Sequence, residues 1–353
     1  MSSVLAADPS QPWCAPFDVR PVALRLARIS TPFARDVLAG LSRPRKAIAG
    51  RWLYDRRGCE LFGQIAMLDD NYPTRTETAI LEQCAAEIAA LVGPGATLVE
   101  LGRGWSRKAP LLLAALEAPV AYVPVALEAE VLAASMRPLR SMFPQLAMHP
   151  IVGDIADAQT LAPLRRSYGA LRRAARSARP WGRRLCFMPG STIGNFHADA
   201  AIVLLDRIGQ ALGDDSMLVV GVDSTLDRAL LMSSHDDQRG VTATLNRNLL
   251  TRINRELEGD FDPLRFRHEA RFDPGVQRVA MHLVSPSWQT VEVLGRRFSF
   301  AAGESIHTEN AYKYSLTRFQ CLAQRAGWSP RQFWSDGRGR FGVHVLERTG
   351  SRR

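Results

Sequence analysis

The sequence is poor in the residues that staple or metallate a protein. It has 5 cysteines, Cys14, Cys59, Cys84, Cys186 and Cys321, odd in number and far apart. None stands at the spacing of a metal-ligand pair, and no disulfide framework is suggested. No metal is expected, and the pattern suits a reducing, cytoplasmic setting. The 7 histidines are scattered and form no HExxH or comparable cluster. No apolar run reaches the roughly 18 residues of a membrane span. The start, MSSVLAADPSQPW, lacks the basic region and apolar core of a secretory signal. Acids are in deficit: 35 against 45 lysines and arginines leave a net charge of +10. Much of that excess lies in Arg165–Arg184, with eight arginines and no acid. No nucleic-acid recognition module accompanies the charge, so nucleic acid is not an expected partner. The segment 165–184 reads either as a solvated helix face or as a surface for a protein partner.

What is present is apolar material in quantity. A hydrophobic content of 46% over 353 residues suffices for a large core and suits two domains. Pro12, Pro16, Pro21 and Pro32 break any long helix near the start. Ile80, Cys84, Ile88 and Leu91 recur at helical spacing and predict a helix over 75–92, stopped by Pro94 and Gly95. From there strands and helices alternate. Strands are expected at 96–101, 121–127, 148–152, 185–188 and 216–222, with helices at 107–117, 128–143 and 198–212 between them. Five strands alternating with helices define a doubly wound α/β core. After Asp223 the character changes to polar helix and then to alternating runs at 276–285 and 288–300, which read as antiparallel strands. A helix at 315–327 and a strand at 341–347 end the chain. The expected division is 76–224 plus 311–353 for the α/β unit. Residues 1–75 plus 225–310 are expected to form a second, α+β unit.

Three turns fall on the edge where such a sheet binds ligands, beyond the carboxyl ends of its strands. Gly102 and Gly104 follow the first strand, and glycines there let the backbone approach a ligand. The run is shorter than GxGxxG, with Arg107 at the third glycine position, and the acid after the second strand, Glu128, comes late for a dinucleotide. Asp154 ends the third strand and can accept from an adenine amino group. PGSTIGNF, residues 189–196, ends the fourth. In it Gly194 permits close approach to a small ligand, and Asn195 both donates and accepts, which suits an amino acid head group. The structural alternative is a plain turn with Asn195 capping the next helix.

Several runs resemble one family closely: LYDRRGCELFGQI (53–65), YPTRTE (72–77), VELGRG (99–104), PGSTIGNF, DDQRGVTATLNRNLLTRINRELEGDFD (236–262), GESIHTENAYKYS (303–315), LAQRAGW (322–328) and FGVHVL (341–346). The chain is similar to the histidine-specific N-methyltransferases of ergothioneine biosynthesis and to fungal dimethylallyltryptophan N-methyltransferases. The resemblance implies a Rossmann-like methyltransferase domain, S-adenosylmethionine as methyl donor and a free amino acid or related small amine as acceptor. It places Tyr54, Gly102, Gly104, Lys108, Asp154, Gly190 and Ser191 around the cofactor, with Lys108 near its methionine carboxylate. It places Asn195 at the acceptor's head group, Glu309 at its imidazole and Met281 along its side chain. Asn195, His235 and Glu309 are then the candidates for catalysis.

The chain departs from the family pattern in both halves of that site. Arg103 stands where the family has a small serine. Ala126 stands where an aspartate clasps the ribose hydroxyls. Loss of a bidentate carboxylate removes two charge-assisted bonds of roughly 1.5–3 kcal/mol each, so cofactor binding is expected to weaken. Glu128 is not expected to substitute, because its side chain should leave the strand end in another direction. On the acceptor side, where Tyr72 is also expected to bind substrate, Asn71 replaces a tyrosine, His235 replaces another, and Ala311 lacks a hydroxyl. A site that has lost such a group discriminates less well. The expectation from these departures is an acceptor other than histidine. The alternative is a non-methylating relative that acts as a binding or partner protein or uses the cleft for other chemistry.

Overall fold

The computed structural model describes residues 30–102, 108–164 and 182–348. In chain order these form α1 (Pro32–Leu41), α2 (Arg56–Ile65), α3 (Tyr72–Val92), β1 (Thr97–Leu101), α4 (Ala109–Ala115), β2 (Ala121–Ala126) and α5 (Ala129–Met142). Next come β3 (Ala147–Met148), β4 (Ile151–Val152), β5 (Arg184–Met188), α6 (Ala198–Leu212) and β6 (Met217–Asp223). A polar middle section follows: α7 (Arg228–His235), α8 (Val241–Leu257), β7 (Arg267–Asp273), β8 (Arg278–Val284), β9 (Gln289–Val293), β10 (Arg296–Phe300) and β11 (Ser305–Tyr312). Helix α9 (Leu316–Arg325) and the hairpin β12 (Trp328–Ser335) and β13 (Phe341–Arg348) complete the order.

The main sheet runs β12-β13-β6-β5-β1-β2-β3, with β4 also paired to β2. Strands β1 to β6 are parallel, while β13 lies antiparallel to β6 and β12 antiparallel to β13. The parallel strands are apolar on both faces because helices cover both. Along β1, Val99 and Leu101 enter one core with Leu204 and Leu205 of α6, while Leu98 enters the other with Leu81 and Ile88 of α3. Strand β1 is central: the chain leaves it for β2 on one side and reaches β5 on the other. That reversal opens a crevice at the carboxyl edge.

Local chemistry moved some boundaries. Helix α3 starts at Tyr72 rather than 75, because the Asn71 side chain accepts from the Thr74 N–H and Pro73 fits the first turn. It stops at Gly93, whose φ of 82° no other residue adopts cheaply, before Pro94 is reached. The third expected strand is split into β3 and β4, with Pro150 between them lacking an N–H.

A second apolar core joins α1 and α2 to the middle section. Val37, Leu41 and Leu61 pack with Leu249, Ile253, Phe266, Phe300 and Ile306. Its sheet is β11-β8-β7, beside the hairpin β9-β10. The N-terminal segment docks on this sheet directly: Ala47 bridges His307, and the Ile48 N–H donates to the His307 carbonyl at 2.9 Å. The register of β11 against β8 slips between His307 and Glu309. Such a bulge re-aims a side chain.

Candidate active site

Two cavities meet between these units. The larger, about 440 Å³, lies across the carboxyl ends of β1, β2 and β4 and is lined by Gly102, Leu127, Gly153 and Asp154. Asp36 and Arg51 close its other side. The smaller, about 110 Å³, is lined by Asn71, Gly190, Ser191, His235, Met281 and Ala311. Tyr54, Asn195 and Glu309 line both. The volume of the larger falls in the usual range for a bound small molecule.

Glu309 is the hinge of the arrangement. The bulge at Thr308 sets its direction, and the Thr308 hydroxyl donates to the Met281 carbonyl at 3.1 Å. The Tyr54 hydroxyl donates to Glu309 Oε1 at 2.9 Å, and Asn195 Nδ2 donates to the same oxygen at 3.4 Å. Tyr54 ends a short 3-10 turn, and Asn195 ends another that opens on Ser191 in a left-handed conformation, φ 53°. Gly194 has no room for a side chain, since a Cβ would stand 2.6 Å from the Tyr312 carbonyl. Its close approach is therefore to β11 and not, as the sequence suggested, to a ligand.

In the larger cavity Arg51 spans two carboxylates. Its Nη1 donates to Asp154 Oδ2 at 2.8 Å and its Nη2 to Asp36 Oδ2. Burial works against the charge of Arg51, but the two acids outweigh it and its pKa is raised. Asp154 Oδ1 accepts from the Ala156 N–H. Ala126 is buried at the end of β2 and offers no polar group. Glu128 turns away to Arg252, 3.6 Å distant, and lines neither cavity. Burial raises its pKa, with Arg252 opposing. Gly104 and Arg103 lie outside the described residues, as do residues 165–181 of the basic segment.

Lys108 departs from its expected place. It lines neither cavity but forms a buried ion pair with Glu77, whose Oε2 also accepts from the Gly190 N–H at 2.8 Å. A buried ammonium needs a counterion more than it needs a distant ligand, and Glu77 on α3 supplies one. Tyr72 is displaced in the same way. Its hydroxyl donates to Asp223 Oδ2 at 2.6 Å, and it lines neither cavity. Burial, reinforced by Asp223, pushes its phenol far above the ordinary range.

The smaller cavity holds two residues that sequence reasoning passed over. Asp223 ends β6, and Lys313 Nζ donates to its Oδ2 at 2.5 Å. Both line the cavity. The signal was there: Asp223 closes a strand at the ligand edge, and Lys313 lies within GESIHTENAYKYS. His235 ends α7 with Nδ1 2.9 Å from the Leu231 carbonyl. The Ser234 hydroxyl lies at the same distance, 2.9 Å, from that nitrogen. Met281 faces Glu309 across the ladder of β8 and β11. Ala311 follows Glu309 by two residues, hence on the same face of the strand.

A doubly wound sheet with a large cavity on its carboxyl edge, opening past three shared polar side chains into a small one, defines a Rossmann-like fold with a two-compartment site for small molecules. The family described as "Histidine-specific methyltransferase, SAM-dependent" matches residues 33–348, and the chain belongs to that family of S-adenosylmethionine-dependent methyltransferases. The histidine N-alpha-methyltransferase of Mycolicibacterium smegmatis is 34% identical over 319 residues, 89% of this chain and 94% of that one. That of Mycobacterium tuberculosis is 35% identical over 316 residues, 88% and 93%. The N-methyltransferase imqF of Aspergillus flavus is 25% identical over 345 residues, 96% and 90%.

These relatives correct one expectation. Asn71, His235 and Ala311 suggested an acceptor other than histidine, yet both mycobacterial proteins, matched along nearly their whole length, are histidine N-alpha-methyltransferases. The three replacements lie on the wall of the smaller cavity, while Tyr54, Asn195 and Glu309 form one hydrogen-bonded cluster beside them. The larger cavity also fits the cofactor of the family. Among the described residues no atom lies within 4 Å of where a Cβ on Gly102 would stand, and Asp36 and Asp154 offer acceptors for amino and hydroxyl groups. Among the described residues no helix is long and apolar enough to cross a membrane.

Proposed function

We propose that this protein methylates the α-amine of histidine, with S-adenosylmethionine in the larger cavity and histidine in the smaller. The observation that carries the reading is the shared wall: Tyr54, Asn195 and Glu309 border both cavities. The cofactor supplies an electrophilic methyl group on a sulfonium. Gly102 gives its backbone close approach, Asp154 accepts from the adenine amino group, and Gly190 and Ser191 form the wall toward the acceptor.

The residues of this chain bind, orient and deprotonate. Glu309, held by Tyr54, accepts from an imidazole N–H and fixes the ring, while Met281 lines its side. Asn195 bonds the head group. Lys313 has two further ammonium hydrogens beyond the one given to Asp223, and with the Asn71 amide it suits the carboxylate. His235, on the wall of the smaller cavity, takes the ammonium proton on its imidazole. Burying the neutral amine between the two cavities leaves orientation as the main contribution to rate.

Incubation with isotopically labelled S-adenosylmethionine and histidine, followed by mass spectrometry, tests the reading. Successive gains of one, two and three labelled methyl groups on the α-nitrogen are expected. Labelled product on a ring nitrogen, or none above the enzyme-free control, would reject it.

A further inference from the structure

An acid at the end of the second strand is the usual partner of a nucleoside ribose in a Rossmann-like sheet. This chain has none there. Ala126 is apolar and buried, Leu127 lines the cavity, and Glu128 points to Arg252 outside it. The larger cavity nevertheless has a second carboxylate besides Asp154. It comes from the other unit: Asp36, on α1, lines the same cavity.

The Asp36 side chain is held on one oxygen only. Its Oδ2 accepts from Arg51 Nη2 and from Trp52 Nε1, the latter at 2.9 Å. Its Oδ1 makes no hydrogen bond with any described residue, and the side chain keeps 35% of its surface exposed. The guanidinium of Arg51 links it to Asp154, so the two carboxylates stand on one cation at one end of the cavity. A carboxylate fixed by two donors, with an acceptor edge left over, is suited to a pair of hydroxyl donors.

We propose that Asp36 takes the place of the carboxylate missing after β2 and accepts the hydrogen bonds of the cofactor's ribose hydroxyls. The proposal rests on S-adenosylmethionine occupying the larger cavity. Asp154 is left to the adenine, Arg51 sets the spacing of the two acids, and the N-terminal helix becomes part of the cofactor site.

Calorimetric titration separates this role from a structural one. The probes are S-adenosylhomocysteine, which cannot be turned over, and its 2′-deoxy analogue. The wild-type chain should bind the ribose form at least tenfold more tightly. Asp36→Asn keeps the size and an acceptor for Arg51, and should shrink that preference to less than threefold. If Asp36→Asn weakens both ligands by the same factor and keeps the preference, Asp36 only shapes the wall and the proposal fails. A second variant does not depend on altering Asp36. Ala126→Asp in the wild-type chain should change the ribose preference by less than threefold, because the hydroxyls are already engaged. A tenfold gain would show the ribose lacked a carboxylate and overturn the proposal. No heat from either ligand on the wild-type chain removes the cofactor reading itself, and the proposal with it.

Discussion

Breaking the buried pair of Glu77 and Lys108 should cost more than any surface change. Glu77 is fully buried, and Lys108 keeps only 8% of its side-chain surface. Lys108→Met leaves the carboxylate with the Gly190 N–H as its one strong donor. Glu77→Gln takes the carboxylate of this pair away from the buried ammonium. Removing one member of such a pair costs about 3–5 kcal/mol, because the other charge stays out of water uncompensated. Replacing both is a different case. Glu77→Gln with Lys108→Met buries no charge and keeps an acceptor for Gly190, so it should lie within about 1–2 kcal/mol of wild type. The double variant should therefore be more stable than either single one. Urea unfolding followed by circular dichroism, extrapolated linearly to water, gives the cycle. Single losses under about 1 kcal/mol, or a double loss equal to their sum, would refute the assignment of Glu77 and Lys108 as a charged pair.

Other consequences are more local. Glu309→Gln should lower kcat/KM for histidine by roughly tenfold to a hundredfold, the worth of one charge-assisted bond, while calorimetry finds S-adenosylhomocysteine affinity changed less than about threefold, within the error of a lost peripheral contact. Ala311→Ser restores a hydroxyl on the face of Glu309 and should lower KM for histidine about twofold to tenfold at constant kcat; an equal gain for an amino acid with an apolar side chain would refute imidazole recognition there. His344 is packed between Phe319 and Phe333, and burial pulls its pKa down from 6.5 to about 3. The unfolded chain then takes up the proton first, so stability is lost as pH falls from 6.5 toward 3. His344→Phe should flatten that part of the stability profile by on the order of 2–4 kcal/mol, read from denaturant midpoints at pH 7 and pH 4.

The parallel strands were legible because burial on both faces makes them short apolar runs. Strands β7, β11 and β12 were not. RHEARFD and SIHTENAY carry charge on half-exposed faces, and β12 is an edge strand with Pro330 at an irregularity in its pairing. Missing β11 hid the bulge that sets Glu309. The turns at 102 and 189–196 were found from glycine and strand order. Lys108 and Tyr72 were misplaced for another reason. Their partners, Glu77 and Asp223, are 31 and 151 residues away, and nothing local in the sequence says that these charges will be buried together. Asp36 was invisible for the same reason: only docking of the N-terminal segment on β11 brings it to the cavity.

A crystal structure with S-adenosylhomocysteine and histidine bound together would show whether the two cavities hold cofactor and acceptor as proposed. The expected complex has adenosine between Asp36 and Asp154, the imidazole at Glu309, and the α-nitrogen turned past Tyr54 and Asn195 toward the sulfur. Histidine bound with its α-nitrogen away from the shared wall, or both molecules crowded into the larger cavity, would contradict it.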